Sequence, residues 1–183
     1  MDKRIVRTLT GGGRGFPIMF VIACSLVFSF GLLYGCSDKK VILKTGQAAP
    51  AFVLTDTNGK TIKFPEDMKG KVVAVRFWAD WCKSCAREMP EIEKVYLKHK
   101  DKGLVVLAVN IGQEKAAVEK FVNDIRISYP GLIDPGAVVT KRYGVSGVPM
   151  TVIVDRSGNI RQKILGETGE VAFEEIVIEQ LKK

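Results

Sequence analysis

The feature that most constrains this chain is an apolar run ending in two closely spaced cysteines. Val72-Val73-Ala74-Val75-Arg76-Phe77-Trp78 is a near-continuous apolar stretch, the pattern of a strand buried on both faces. It leads through Ala79-Asp80-Trp81 into Cys82-Lys83-Ser84-Cys85. A helix is expected from about Ser84, because Met89, Ile92, Val95, Tyr96 and His99 recur at helical spacing. Cys82 then falls at or just before a helix N-terminus, where unpaired N–H groups and the helix dipole favour negative charge. A thiol in that place loses its proton more readily, and the thiolate is the nucleophile. Cys85, one turn further on, is within reach to close or resolve a disulfide.

The surrounding pattern alternates strands with helices. Phe52-Val53-Leu54 leads into Asn58-Gly59, a strong hairpin signal, and Thr61 to Phe64 is the return strand. Pro90 lies inside the cysteine helix and is expected to kink it. Leu104 to Asn110 reads as a second buried strand. Residues 113–125 read as a helix with Ala117, Val118, Phe121, Val122 and Ile125 on one face. Ala137 to Tyr143 is a short helix, Met150 to Val154 and Ile160 to Leu165 are strands around a turn at Arg156-Ser157-Gly158-Asn159, and Val171 to Leu181 is a final amphipathic helix. The expected fold is α/β, a mixed sheet flanked by helices, with an N-terminal β-hairpin.

Residues 1–36 read as an address rather than part of this fold. Lys3, Arg4, Arg7 and Arg14 precede an uncharged, strongly apolar stretch from Gly15 to Ser37. Leu33-Tyr34-Gly35-Cys36 followed by Ser37-Asp38-Lys39-Lys40 resembles a bacterial lipoprotein signal, in which Cys36 is lipidated. Cys24 has a similar local setting, but the apolar sequence continuing after it makes it a poor mature N-terminus. The alternative is an uncleaved helix long enough to span a bilayer, with its basic flank inside. The lipoprotein reading is preferred, and both readings place the rest of the chain on the extracytoplasmic, periplasmic side of a membrane. Residues 37–45 are read as a linker and 46–183 as one domain.

Composition narrows the partners. With 46% hydrophobic and 26% charged residues the chain is ordinary for a globular protein, and the part after the leader is long enough for a sizeable core. Of the formal charge of +8, the first 36 residues contribute +3; the remainder holds 24 basic against 19 acidic residues. These are dispersed and carry no nucleic-acid motif, so a solvated basic surface is expected and no nucleic-acid partner. A weak attraction to anionic lipid headgroups stays open. One cysteine pair in the folded part is not a disulfide scaffold.

Phe77-Trp78-Ala79-Asp80-Trp81-Cys82-Lys83-Ser84-Cys85 resembles the active-site segment of the thioredoxin-like superfamily. Ala49-Pro50-Ala51-Phe52, Glu88-Met89-Pro90, Gly147-Val148-Pro149 and Val154-Asp155-Arg156-Ser157-Gly158 extend the likeness over roughly residues 46–170. Together they resemble the TlpA/ResA-type branch of membrane-anchored thiol–disulfide oxidoreductases, whose domain is redoxin or AhpC/TSA-like. The resemblance implies a thioredoxin-like fold with a central αβ insertion, a cis Pro149 facing the cysteines, and Val148 pairing with an extended substrate backbone beside Trp81. The rival for Pro149 is an ordinary trans proline before an edge strand.

Glu88 matches an acidic residue of that branch, one turn after the second cysteine. A carboxylate there moves protons and makes the thiols less acidic; the rival reading is a solvated helix residue. The candidate catalytic residues are thus Cys82, Cys85 and Glu88. Arg76 departs from the pattern, since thioredoxin carries an aspartate there and anchored relatives often an asparagine. An arginine cannot act as that base, and stabilises a thiolate or pairs with an acid instead. Lys83 departs too, and either promotes ionisation of Cys82 or is simply solvated. Trp78 and Trp81 read as shaping the site and core, and Tyr96 and His99 as packing residues.

The expected chemistry is thiol–disulfide exchange, with Cys82 attacking and Cys85 resolving. It requires no cofactor beyond the redox-active pair. The resemblance implies substrates that are disulfide-containing exported proteins, such as apocytochrome c in cytochrome c biogenesis, and a membrane thiol-reducing electron donor. The reverse, oxidising direction uses the same residues. Two rivals are peroxide reduction, which usually has a threonine or serine where Ala79 stands, and copper carriage by two thiolates. Zinc wants four ligands that the sequence does not supply, so no metal site is expected. Ala86 excludes haem attachment, which requires histidine after the second cysteine.

Overall fold

A central strand covered on both faces organises the computed structural model, which describes residues 42–183. Residues 1–36, with Cys24, Cys36 and the expected leader, lie outside the described residues. In chain order the elements are β1 (Phe52–Asp56), β2 (Thr61–Phe64), β3 (Val72–Trp78), α1 (Lys83–His99), β4 (Leu104–Asn110), α2 (Lys115–Ile125), β5 (Gly131–Ile133), α3 (Val138–Arg142), β6 (Met150–Val154), β7 (Ile160–Leu165) and α4 (Glu170–Leu181). The strands form one sheet in the order β2-β1-β5-β4-β3-β6-β7. β3 runs parallel to β4 and antiparallel to β6, so the sheet is mixed. Among the described residues no helix is long and apolar enough to cross a membrane.

Every residue of β3 is buried, because successive side chains point to opposite faces and both faces are covered. Val73, Val75 and Phe77 join a core with Phe52, Phe64, Val139 and Tyr143. Val72, Ala74 and Trp78 join a second core with Met89, Ile92 and Val95 of α1, Val118 and Val122 of α2, and Phe173 and Val177 of α4. Leu43 is buried in the first core, so packing begins inside the stretch read as a linker.

The hairpin is where Asn58-Gly59 placed it. Asp56 Oδ1 accepts the N–H groups of Asn58 at 2.9 Å and Lys60 at 2.8 Å, and Gly59 takes the left-handed conformation with φ 83°. The inserted unit between β4 and α3 is α2 followed by β5. β5 is only three residues long, too short for a period to be read, yet it joins β1 to β4. It requires Gly131, because a Cβ there would meet Val122 Cγ2 at 2.8 Å. Helix α1 continues past Pro90 to His99.

α3 is short and is held at its start by one buried carboxylate. Asp134 Oδ1 accepts the Val139 N–H at 3.0 Å, and Oδ2 accepts the Thr140 N–H at 2.8 Å and the Thr140 hydroxyl at 2.7 Å. This anchors the segment that leads to Val148 and Pro149. Asp134→Ala leaves these donors unpaired in the interior and is expected to lower stability by about 2–4 kcal/mol, read as a lower urea midpoint with an unchanged slope.

Candidate active site

The end of β3 delivers the two cysteines to the start of α1. Cys82 is the N-cap residue of α1, extended at φ −82° and ψ 96°, and its carbonyl accepts the Ala86 N–H at 3.1 Å. Its Sγ accepts the Cys85 N–H at 3.1 Å, one of the donors that a helix N-terminus leaves unpaired. Cys82 and Cys85 are joined in a disulfide with their Cα atoms 5.2 Å apart. Cys82 is 4% exposed and Cys85 is wholly buried. Attack from outside therefore reaches Cys82, while Cys85 faces the core. Ser84 Oγ lies 3.5 Å from Cys82 Sγ, and Lys83 is exposed.

The loop before Cys82 is clasped to the end of β4. Gln113 Oε1 accepts the Asp80 N–H at 2.9 Å and the Asn110 side-chain amide at 2.8 Å; Gln113 Nε2 donates to Asp80 Oδ1 at 2.5 Å. Asn110 Oδ1 in turn accepts the Gln113 N–H at 2.8 Å. Asn110 itself is fully buried. Sequence reasoning placed neither Gln113 nor Asn110 in the site. The one available signal was the polar Asn110 closing an apolar strand.

Trp78 and Trp81 part company here. Trp78 is buried and stacks on Phe121 with ring centroids 4.5 Å apart. Trp81 is 66% exposed, so of the two it is Trp78 that packs into the core while Trp81 stands at the site. It borders an open groove of about 450 Å³ lined also by Asp80, Lys120, Phe121 and Asp124.

β6 brings the second loop to the cysteines. Phe77 pairs with Met150, so Val148 and Pro149 lie beside the chain leaving β3. The Val148–Pro149 bond is cis, and half-buried Val148 packs on the core cluster that contains Cys82 and Cys85. The Pro149 carbonyl accepts the Gly166 N–H at 2.9 Å, tying the loop to the end of β7. A further cis bond, Phe64–Pro65, was not anticipated.

Glu88 and Arg76 meet under the site. Glu88 is 2% exposed, which overturns the solvated reading. Its Oε2 accepts Arg76 Nη2 at 2.5 Å, and its Oε1 accepts the N–H groups of Thr168 at 2.7 Å and Gly169 at 3.2 Å. Arg76 Nη1 donates to Thr151 Oγ1 at 3.0 Å. Arg76 therefore takes the acid-pairing role, one of the two foreseen for it. His99 is buried against Glu174, with Nε2 to Oε1 at 2.7 Å, and Tyr96 packs edge-on against Tyr129, so both are packing residues.

These exposures make the two thiols unequal. After reduction, brief treatment with iodoacetamide is expected to label Cys82 and to spare Cys85 by at least about tenfold, as peptide mass mapping reads it. Equal labelling would contradict the burial of Cys85.

The AhpC/TSA family pattern matches residues 45–163. The chain is 36% identical over 160 residues to the thiol-disulfide oxidoreductase ResA of Bacillus cereus, covering 87% of this chain and 92% of that one. It is 33% identical over 153 residues to the ResA of Bacillus subtilis, covering 84% of each. A crystal structure from Chlorobium tepidum, assigned as the thiol:disulfide interchange protein DsbE, superposes with a TM-score of 0.72 at 30% identity, over 76% of this chain and 99% of that one. The thioredoxin domain of a thiol-disulfide oxidoreductase from Bacteroides vulgatus superposes with a TM-score of 0.68 at 28% identity, over 75% and 98%. With a cysteine pair bonded at the head of α1 on this sheet, the chain belongs to the thioredoxin-like AhpC/TSA family and, within it, is a thiol–disulfide oxidoreductase akin to ResA.

Proposed function

We propose that this oxidoreductase reduces disulfides of exported proteins, apocytochrome c among them, on the extracytoplasmic side of a membrane. The observation that carries the reading is the asymmetric pair: Cys82 at a helix N-terminus holds the pair's small exposed surface, and a sealed Cys85 lies one turn behind it. In the reduced protein the Cys82 thiolate attacks a substrate disulfide. A Cys82–substrate bond forms, and one substrate sulfur leaves as a thiolate. Cys85, once deprotonated, attacks Cys82, re-forms the internal disulfide and releases the second substrate thiolate. Two electrons pass to the substrate, and a membrane thiol-reducing donor restores them.

Other residues take supporting roles. Exposed Trp81 and the Val148–Pro149 loop flank Cys82, and there an extended substrate backbone would pair with Val148. Glu88 supplies the carboxylate nearest in sequence to Cys85 and restrains thiolate formation. Residues 1–36 act as a lipoprotein signal, with acylated Cys36 holding residues 37–183 to the membrane. The redox-active pair serves as its own electron carrier.

Direction and anchoring are tested separately. A redox titration of the Cys82–Cys85 pair is expected to give a two-electron midpoint near or below about −220 mV, as thioredoxin and glutaredoxins do. A midpoint near about −120 mV would mark an oxidant of exported thiols and overturn the reductant reading. Cells fed a labelled fatty acid are expected to acylate the wild-type chain and not Cys36→Ala; label on neither rejects the lipoprotein anchor.

A further inference from the structure

Arg76 is a buried cation that the exchange steps do not use. It projects from β3 to the same face as Trp78, into the core cluster that holds both cysteines. Resting on the exchange reading above, we propose that Arg76 is a positioning residue: it cancels the field of Glu88 at the two sulfurs and so sets how readily Cys82 ionises and how the pair is poised.

Glu88 follows Cys85 by three residues on α1, which puts their Cβ atoms about 5–6 Å apart. A carboxylate one turn from a cysteine disfavours its thiolate, and with Glu88 only 2% exposed water and salt screen it weakly. The Arg76 guanidinium meets the carboxylate at 2.5 Å, with both side chains no more than 2% exposed. Thr151 steadies the fork through Nη1, while Nε has no partner. The cation is thus aimed at Glu88 rather than spread over several acceptors.

The other charged groups around this pair are exposed or partly so: Asp80 before Cys82 is exposed, and Glu93 on α1 is half-buried, with one carboxylate oxygen accepting the Ser128 hydroxyl and the other buried. On α1, Lys83 is exposed, Arg87 binds Glu167 of the loop before α4, and Glu91 is half-buried. On α4, Glu170 binds Lys94, and Glu174 binds Lys98 and His99. Burial pushes the Tyr129 hydroxyl far up, so it stays neutral and donates to the Met89 carbonyl. β4 and β6 carry no charged residue. Among the described residues Arg76 is therefore the cation bonded to Glu88, and their burial leaves that contact weakly screened.

Compensation of this kind has a signature that a purely structural contact lacks, because removing either charge pushes the thiol in opposite directions. The measurement is the rate of Cys82 alkylation against pH in the reduced full-length protein. Arg76→Gln is expected to move the profile to higher pH and slow alkylation at pH 7 about tenfold, the equivalent of one pH unit. Glu88→Gln is expected to move it to lower pH. Arg76→Lys keeps the charge and is expected to stay within about twofold of wild type. In the redox equilibrium, a tenfold change reads as about 30 mV. The proposal is overturned if folded Arg76→Gln leaves the profile unmoved, if the Gln variants shift it in the same direction, or if Arg76→Lys moves it as far as Arg76→Gln.

A single replacement strands a buried charge and can unfold the domain, so the double variant Arg76→Gln/Glu88→Gln is measured as well. Removal of both charges is expected to leave the profile within about twofold of wild type, and a tenfold shift in that folded protein overturns the proposal. Alkylation reads Cys82 without any substrate. Failure of the wild type to reduce a disulfide would sink the proposed function, and the Arg76 comparison would still decide on its own.

Discussion

The buried contact between Arg76 and Glu88 is where the parts of this domain meet. It joins β3 to α1, reaches β6 through Thr151, and takes the N–H groups of Thr168 and Gly169 at the start of α4. Among the described residues it is the one ion pair with both side chains fully buried. Dehydrating two ions costs several kcal/mol each, so such a pair adds little net stability over apolar packing. It does dictate geometry. A displaced α1 or α4 would leave a charge unpaired, at a cost of about 3–5 kcal/mol. The helix that carries the cysteines is thereby pinned to the sheet one turn below them.

Around that contact the site is assembled from chain ends. β3 stops at Trp78, and the antiparallel register of β6 sets the Val148–Pro149 loop beside the outgoing chain. The parallel register of β4 sets Asn110 opposite Trp78, from where it and Gln113 fasten Asp80. Loops held by strand ends keep their shape, and Cys82 keeps its narrow opening to solvent because rigid elements fix both sides of it. The disulfide gains its asymmetry from the same arrangement: the helix N-terminus faces out at Cys82 and turns inward by Cys85.

Much of this was legible in residue order because the signals were local and strong. Unbroken apolar runs announced β3 and β4, Asn58-Gly59 announced the first hairpin, and helical spacing announced α1 and α4. The cysteine pair and its position at the helix start also followed from spacing alone. β5 was implied only by the family likeness, because three residues carry no period, and it forms only where β1 and β4 already flank it. Residue order did not separate the two tryptophans, because only the turn after β3 directs Trp81 to solvent while Trp78 points into the core.

By itself the sequence determined the fold class, the identity of the reacting atoms and their place at a helix N-terminus, since each depends on neighbours within a few residues. Tertiary structure alone decided what surrounds those atoms. Arg76 read as a charge that would stabilise a thiolate or pair with some acid, and Glu88 as a candidate catalytic carboxylate, with nothing to join the two. Each makes sense through the other, 12 residues away. Contacts of that kind depend on how two elements pack, and packing is set by the whole core rather than by any local run of residues.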